Sequence, residues 1–148
     1  MGIGEKQDFD TILSNLTSAG IHTIFIKIDI WKVQMNSFIK IMKALSDPNR
    51  LKIVKMLQHR ALCVCEIQSA LGISQPNVSS HLRILENAGL VEFHKDGLWV
   101  NYYLSDGKDS PYVSSLLGNL RHWLEDDPEI AKLMKKVPNL DRSKILRR

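Results

Sequence analysis

Apolar residues recur at helical spacing through most of this chain. Phe38, Ile41, Met42 and Leu45 share one face and predict a first amphipathic helix. Ser46-Asp47-Pro48 reads as a turn and a helix start, with Asp47 as N-cap and Pro48 at the first helical position. The second helix carries Leu51, Ile53, Val54 and Leu57 and ends near Gln58 and His59. A short third helix is predicted from about Leu62 to Leu71, stopped by Gly72. Ser74 caps a fourth, with Pro76 just inside, which runs to Ala88 before Gly89. Val91 to Lys95 and Leu98 to Leu104 then read as strands joined by Asp96-Gly97, a dipeptide suited to a type I′ hairpin. Tyr112 to Leu124 reads as a fifth helix and Pro128 to Lys136 as a short last one. Upstream, Ile24, Ile26, Ile28 and Ile30 alternate with Phe25, Lys27, Asp29 and Trp31, the period of a strand.

Three zones follow from this pattern. Residues 1–34 form an N-terminal extension of unassigned role, with Met35 as an alternative start. Residues 35–125 hold the clear elements, and residues 126–148 a short helix and a basic tail ending in Arg147 and Arg148. The predicted fold class is mainly α with a small β-hairpin wing, an α+β winged helix-turn-helix, because two helices joined by a tight glycine-containing turn precede a hairpin.

In such a fold the second helix of the pair enters the major groove, so its outward face matters. At ~100° per residue, Val78, Leu82 and Leu85 form the core stripe, and Ser79, Ser80, Arg83 and Asn87 point away from it. Ser74, Gln75 and Asn77 occupy the first turn. Small hydroxyls allow close approach to the groove, Gln and Asn can read adenine, and Arg83 can bond phosphate or guanine. Lys95, beside the hairpin tip, is placed to touch phosphate. On an isolated helix this face would simply be solvated; inside a complete helix-turn-helix it reads as a surface for double-stranded operator DNA. His81, at the edge of the stripe, reads as a packing residue with a satisfied ring.

Bulk properties agree with this picture. The 148 residues are 44% apolar and 24% charged, as in ordinary globular proteins, and a net charge of +4 suits a polyanionic partner only weakly. No apolar run approaches the ~20 residues that span a bilayer, since Lys27 and Asp29 interrupt the most apolar stretch. Neither a membrane partner nor a secretory signal is indicated. Two cysteines two residues apart offer no disulfide framework, so the expectation is a cytoplasmic protein with reduced thiols. Paired carboxylates, a glycine-rich phosphate loop and a Cys-x-x-Cys near a βαβ unit are all missing, so no enzyme activity and no catalytic cofactor are expected.

The runs Ala44-Leu-Ser-Asp-Pro-Asn-Arg-Leu51, Leu62-Cys-Val-Cys-Glu66 and Ser74-Gln-Pro-Asn-Val-Ser-Ser-His-Leu82, with Ala88-Gly-Leu-Val91 and the Asp96-Gly97 wing, resemble the arsenical and metal-responsive repressors of the ArsR/SmtB family. The resemblance covers about Met35 to Glu125. It implies homodimers, held by the first and fifth helices, that sit on an operator and release it when metal binds.

Cys63 and Cys65 are the candidate sensor. Free cysteines are usually small buried apolar residues, but Val64, Ile67 and Leu71 make the inward stripe of the third helix, leaving Cys63 and Cys65 on either side of it. Both fall in the helix's first turn, where the dipole favours thiolate. Residues i and i+2 on a helix point ~200° apart, so one ion held by both sulfurs is expected to deform that turn and, through it, the recognition helix. Soft thiolates select thiophilic ions. The arsenite sites of the resembling repressors have a third cysteine where this chain has Gln68, while their cadmium and lead sites add cysteines from an N-terminal arm that has none here. Arsenite or antimonite is therefore the expected inducer, with cadmium, lead and zinc as alternatives. His59 is read as a surface loop residue rather than a further ligand.

Two weaker readings accompany this one. Asp109, His122 and Glu125 match three ligands of a zinc site that some resembling repressors build across the dimer, but Pro111 stands where a histidine belongs, and a solvated helix end is the simpler account. A thiol redox-sensing repressor is the other. Cysteines facing opposite ways make a poor disulfide, so oxidation too is expected to require unwinding.

Overall fold

The computed structural model describes residues 32–145. Residues from 38 onward form a compact unit that holds every element discussed below except the first six residues of the first helix, 32–37. The strand expected over 24–30 and the tail residues Arg147 and Arg148 lie outside the described residues.

Helix α1 covers 32–45. Then come α2 (Pro48–His59), β1 (Leu62–Cys63), α3 (Val64–Leu71), α4 (Gln75–Asn87), β2 (Val91–Asp96), β3 (Trp99–Leu104), α5 (Pro111–Leu120) and α6 (Pro128–Lys136). A 3-10 turn (Val137–Asn139) and α7 (Arg142–Ile145) follow. The helix starts are where capping chemistry puts them. The Asp47 carboxylate accepts the Arg50 amide at 2.9 Å ahead of Pro48, and the Ser74 hydroxyl accepts the Asn77 amide ahead of Pro76. The C-cap of α3 is Gly72 at φ +69°, a left-handed conformation that glycine adopts without a Cβ penalty.

Helix α2 lies at the centre. It packs on α4, α6 and β3, and its Ile53, Val54 and Met56 are fully enclosed. Leu62, Ile67, Val78, Leu82, Leu85, Leu90 and Val113 complete the same core. Each such side chain contributes roughly 1.5–3 kcal/mol through burial.

The sheet differs from expectation in two respects. It has three strands in the order β1-β3-β2, because Leu62 and Cys63 pair antiparallel with Tyr102 and Asn101 instead of opening a helix. The hairpin turn also lies one residue later than expected. Asp96 pairs with Trp99, which leaves Gly97-Leu98 as the two-residue loop. Gly97 takes φ +59° while Leu98 stays at negative φ, the pattern of a type II′ turn rather than I′. Packing fixes this register. Val91 opposite Leu104 and Phe93 opposite Tyr102 share a face, with the Phe93 and Tyr102 ring centroids 5.8 Å apart, and a slip of one residue would turn that face outward.

Helix α5 is shorter than its pattern predicts, ending at Leu120 rather than Leu124. The cause is Lys55, a buried lysine of α2. Its ammonium donates to the carbonyls of Leu120 at 2.7 Å, Trp123 at 3.0 Å and Arg121 at 3.4 Å, of which the Leu120 oxygen is the one a helix running on to Leu124 would give to the Leu124 amide. Leu124 then takes φ +64° and turns the chain. Burial holds the Lys55 pKa below the usual lysine value, with the Glu125 carboxylate opposing that shift. The C-terminal part is more ordered than a basic tail. Asp127 caps α6 by accepting the Glu129 and Ile130 amides, both at 3.0 Å, and the chain continues through the 3-10 turn into α7. Among the described residues, no helix is long and apolar enough to cross a membrane.

Replacing Lys55 by Met keeps the volume and leaves these carbonyls without their donor. Each buried carbonyl so orphaned costs about 1–3 kcal/mol. The expected result is a lower urea midpoint at unchanged m-value; an unaltered midpoint would show that the amine is not what closes α5.

Candidate DNA-binding face and thiol site

Helices α3 and α4 are joined by Gly72, Ile73 and Ser74, and α4 rests on α2, α3 and β2. The core stripe predicted for α4 is the one observed, with Val78, Leu82 and Leu85 fully buried. Away from it, Ser79, Ser80, Arg83 and Asn87 are exposed, and so are Ser74, Gln75 and Asn77 around the first turn. Lys95 is exposed on β2 next to the turn, opposite Val100, and Leu98 at the tip is 98% exposed. The geometry is that of a helix free to enter a groove with a projecting wing beside it.

His81 is not the satisfied packing residue expected. Its ring is partly buried, and Nδ1 makes no hydrogen bond among the described residues, standing 3.7 Å from the Asp47 carboxylate. That places a titratable ring of α4 within ion-pair range of the α2 cap.

The cysteine pair departs from expectation in the way that matters most. Cys63 is not in the first turn of α3. It is the N-cap, in extended conformation (φ −83°, ψ 165°), paired with Asn101 across the ladder, while Cys65 is the second residue of the helix. The ~200° separation of i and i+2 therefore does not apply. The two sulfurs converge and are joined as a disulfide, with Cα atoms 5.5 Å apart. Cys63 is buried and Cys65 partly exposed. Neither a bridging ion nor oxidation needs the helix to unwind, which corrects both expectations.

A residue that the pattern did not single out holds this arrangement. Glu66 is only 5% exposed; one carboxylate oxygen accepts the Cys63 amide at 2.9 Å and the other accepts Arg60 at 3.0 Å. This is the glutamate half of a capping box, with cysteine in place of the usual Ser or Thr. The spacing Cys63-x-x-Glu66 carried the signal. Gln68, where the resemblance would have a third cysteine, is partly exposed on α3.

The candidate zinc residues are not brought together within one chain. His122 and Glu125 follow the end of α5 and flank the left-handed Leu124, so they are not one helical turn apart. Glu125 lines a cavity of about 410 Å³ with Lys55, His59 and Arg121, without Asp109 or His122. Among the described residues, no group of three His, Cys, Asp or Glu side chains is placed to hold a metal ion.

Residues 47–92, which span the start of α2 to the start of β2, match the family described as "Bacterial regulatory protein, arsR family". An uncharacterised HTH-type transcriptional regulator of Methanocaldococcus jannaschii is 44% identical over 70 residues, covering 47% of this chain and 79% of that protein. The arsenical resistance operon repressor of Escherichia coli is 46% identical over 68 residues, 45% of this chain and 58% of the repressor. The cadmium resistance regulatory protein CadC of Listeria innocua is 46% identical over 67 residues, 45% of this chain and 56% of that protein. The chain thus spans little more than half the length of these last two relatives. A homodimeric winged helix-turn-helix DNA-binding domain from Mycobacterium bovis, described as a possible ArsR-family regulator, superposes with a TM-score of 0.57 at 26% identity, covering 66% of this chain and 87% of that one. By its sequence and by its α3–α4 pair with wing, the chain belongs to the ArsR family of DNA-binding transcriptional regulators.

Proposed function

We propose that this regulator is a repressor released from its operator when arsenite or antimonite binds the reduced thiols of Cys63 and Cys65, each new bond to sulfur replacing a hydroxide ligand that leaves with the thiol proton as water. The observation that carries the reading is the convergence of both sulfurs at the start of α3, the helix that packs directly against the recognition helix. Soft sulfur donors select thiophilic ions, and the matched relatives are named for arsenical and cadmium resistance. Two sulfurs without a third cysteine at Gln68 suit a trivalent metalloid, its last position taken by a small thiol or water, better than a four-coordinate cadmium or zinc ion. A second reading shares the same atoms. Because the sulfurs already meet, oxidation to the disulfide is an equally direct way to lock this turn, and peroxide becomes the alternative inducer.

The dimer is proposed to form through α1 and α5. Phe38 of α1 packs edge-on against Tyr112 of α5, with ring centroids 5.3 Å apart. Beside them lies a groove of about 470 Å³ lined by Met42, Leu45, Leu51, Leu116, Leu120, Trp123 and Leu124. Met42, Trp123 and Leu124 are 41%, 50% and 42% exposed, and so dense an apolar strip calls for a partner surface. The matched Mycobacterium bovis domain is homodimeric, and a second copy of this chain is the proposed occupant.

Three outcomes follow. Arsenite or antimonite should weaken operator binding by the ~5- to 150-fold typical of allosteric coupling, measured by anisotropy on DNA upstream of the gene, and Cys63→Ser with Cys65→Ser should abolish the effect. Release by zinc alone, insensitive to both substitutions, would move the sensor toward Asp109, His122 and Glu125. Arg83→Ala should cost about 1–3 kcal/mol on the operator if the side chain reads a base, whereas Lys95→Ala should weaken all DNA alike and reduce the salt slope by about one. Trp123→Asp should give a monomer by light scattering, with operator affinity lost; a dimer in that variant would place the interface elsewhere.

A further inference from the structure

The segment after α6 touches both ends of the regulatory apparatus. At the thiol end, Arg60 donates from one nitrogen to Glu66 at 3.0 Å and to the Leu140 carbonyl at 2.8 Å, with the Val137 carbonyl at 3.4 Å. Glu66 in turn holds the Cys63 amide. One buried carboxylate and one guanidinium therefore link the backbone of the first cysteine to residues 137–140. Two residues on, Arg142 reaches the wing. Its guanidinium stands 3.7 Å from the Asp96 carboxylate, 3.4 Å from the Asn101 side-chain oxygen and 5.2 Å from the centre of the Trp99 ring. Asp96 and Trp99 face each other across the base of the wing turn, and Asn101 is the residue paired with Cys63. Between the two anchor points lies a polar cavity of about 450 Å³, lined by Arg60, Glu66, His94, Asn101, Asp141 and Arg142.

We propose that residues 137–142 form a strap that passes the state of the cysteine pair to the wing. Glu66 and Arg60 are the positioning residues at its sensor end, and Arg142 is the one at its DNA end. This rests on reading Cys63 and Cys65 as the sensor. The physical basis is that Glu66 has two oxygens and both are committed. A shift of the Cys63 amide when the joined sulfurs part must drag Glu66 or break its bond, and Glu66 cannot move without Arg60, whose same nitrogen also donates to the Leu140 and Val137 carbonyls of the strap. At the other end Arg142 holds the wing by charge and by its cation–π contact with Trp99. These contacts are partly solvated, so they can slide without unfolding the hairpin. The wing is thereby coupled to the sensor by a route that does not pass through α4.

The test uses the full-length protein, labelled DNA from upstream of its gene, and sodium arsenite. Anisotropy gives the DNA affinity with and without arsenite for the wild type, Arg142→Gln, Asp96→Asn, the double variant, and the Cys63→Ser/Cys65→Ser protein. The strap predicts that arsenite weakens binding by at least threefold less in Arg142→Gln and in Asp96→Asn than in the wild type. It also predicts that the double variant loses no more than either single one, as expected of two ends of one contact. A wild-type ratio in both single variants, with the cysteine variant inert, overturns the strap and leaves the sensor reading standing, even if their basal affinity has fallen. If the cysteine variant responds as the wild type does, the sensor reading falls and the strap falls with it.

Discussion

The hydrogen bond from the Cys63 amide to the buried Glu66 carboxylate decides where α3 begins, and much of the regulatory geometry follows from that boundary. With Cys63 outside the helix, its backbone can pair with Asn101, the sheet gains a third strand, and the helix-turn-helix is stitched to the wing. The same boundary brings the sulfurs to one side. Had the helix begun two residues earlier, the cysteines would diverge, β1 would not exist, and α3 would touch the hairpin only through side chains. A carboxylate this deep needs more than one partner to offset its desolvation, and Arg60 supplies the second.

Most of the fold was legible because it rests on local signals that agree with one another. Asp47-Pro48 and Ser74 with Pro76 announce helix starts, Gly72 a stop, and Val78, Leu82 and Leu85 the buried side of α4. What escaped was set by partners distant in sequence. A two-residue strand has no period to detect, and β1 is visible only through its partner β3. Periodicity carries α5 on to Leu124, yet Lys55, more than sixty residues upstream, takes the Leu120 carbonyl that such a continuation needs. The turn residues were misjudged by one position because Asp96 and Gly97 together suit a I′ turn, while the Phe93–Tyr102 face fixes the register that moves the loop to Gly97-Leu98. The candidate DNA-facing residues lie on the surface that the helical wheel indicated, whereas the thiol geometry, His81 and the C-terminal strap needed three dimensions.

The division of labour along α4 explains why the family is plainer than the inducer. Its inner face is fixed by packing against α2 and α3 and its outer face is exposed along the whole helix, so many residues carry the family's pattern. The proposed sensor consists of two sulfurs and whatever orients them. Replacing one residue, such as Cys by Gln at position 68, changes the donor set without disturbing the fold, since that side chain is only partly buried on α3. Specificity for an ion is thus written in far fewer atoms than specificity for a nucleic acid.

Convergent sulfurs also change what release must consist of. If an ion had to unwind α3, the strain of unwinding would itself drive the recognition helix out of place. Here no unwinding is needed, and a ligand that meets two conformers with equal affinity shifts neither. Coupling therefore requires a second arrangement in which the sulfurs stand apart and DNA fits better. Reduction supplies a reason for one: once the S–S bond is broken the sulfurs are no longer bonded and move out to van der Waals contact, and separation is easiest at Cys63, which stands outside the helical ladder. Under the proposed reading, binding an ion or re-forming the disulfide draws the two sulfurs, and Cys63 with them, back together. The free energy available for switching is then the difference in sulfur closure between the two arrangements, and it reaches the DNA only through groups that Cys63 grips. Those are Asn101 on the strand leading from the wing and Glu66 at the start of the helix beside α4.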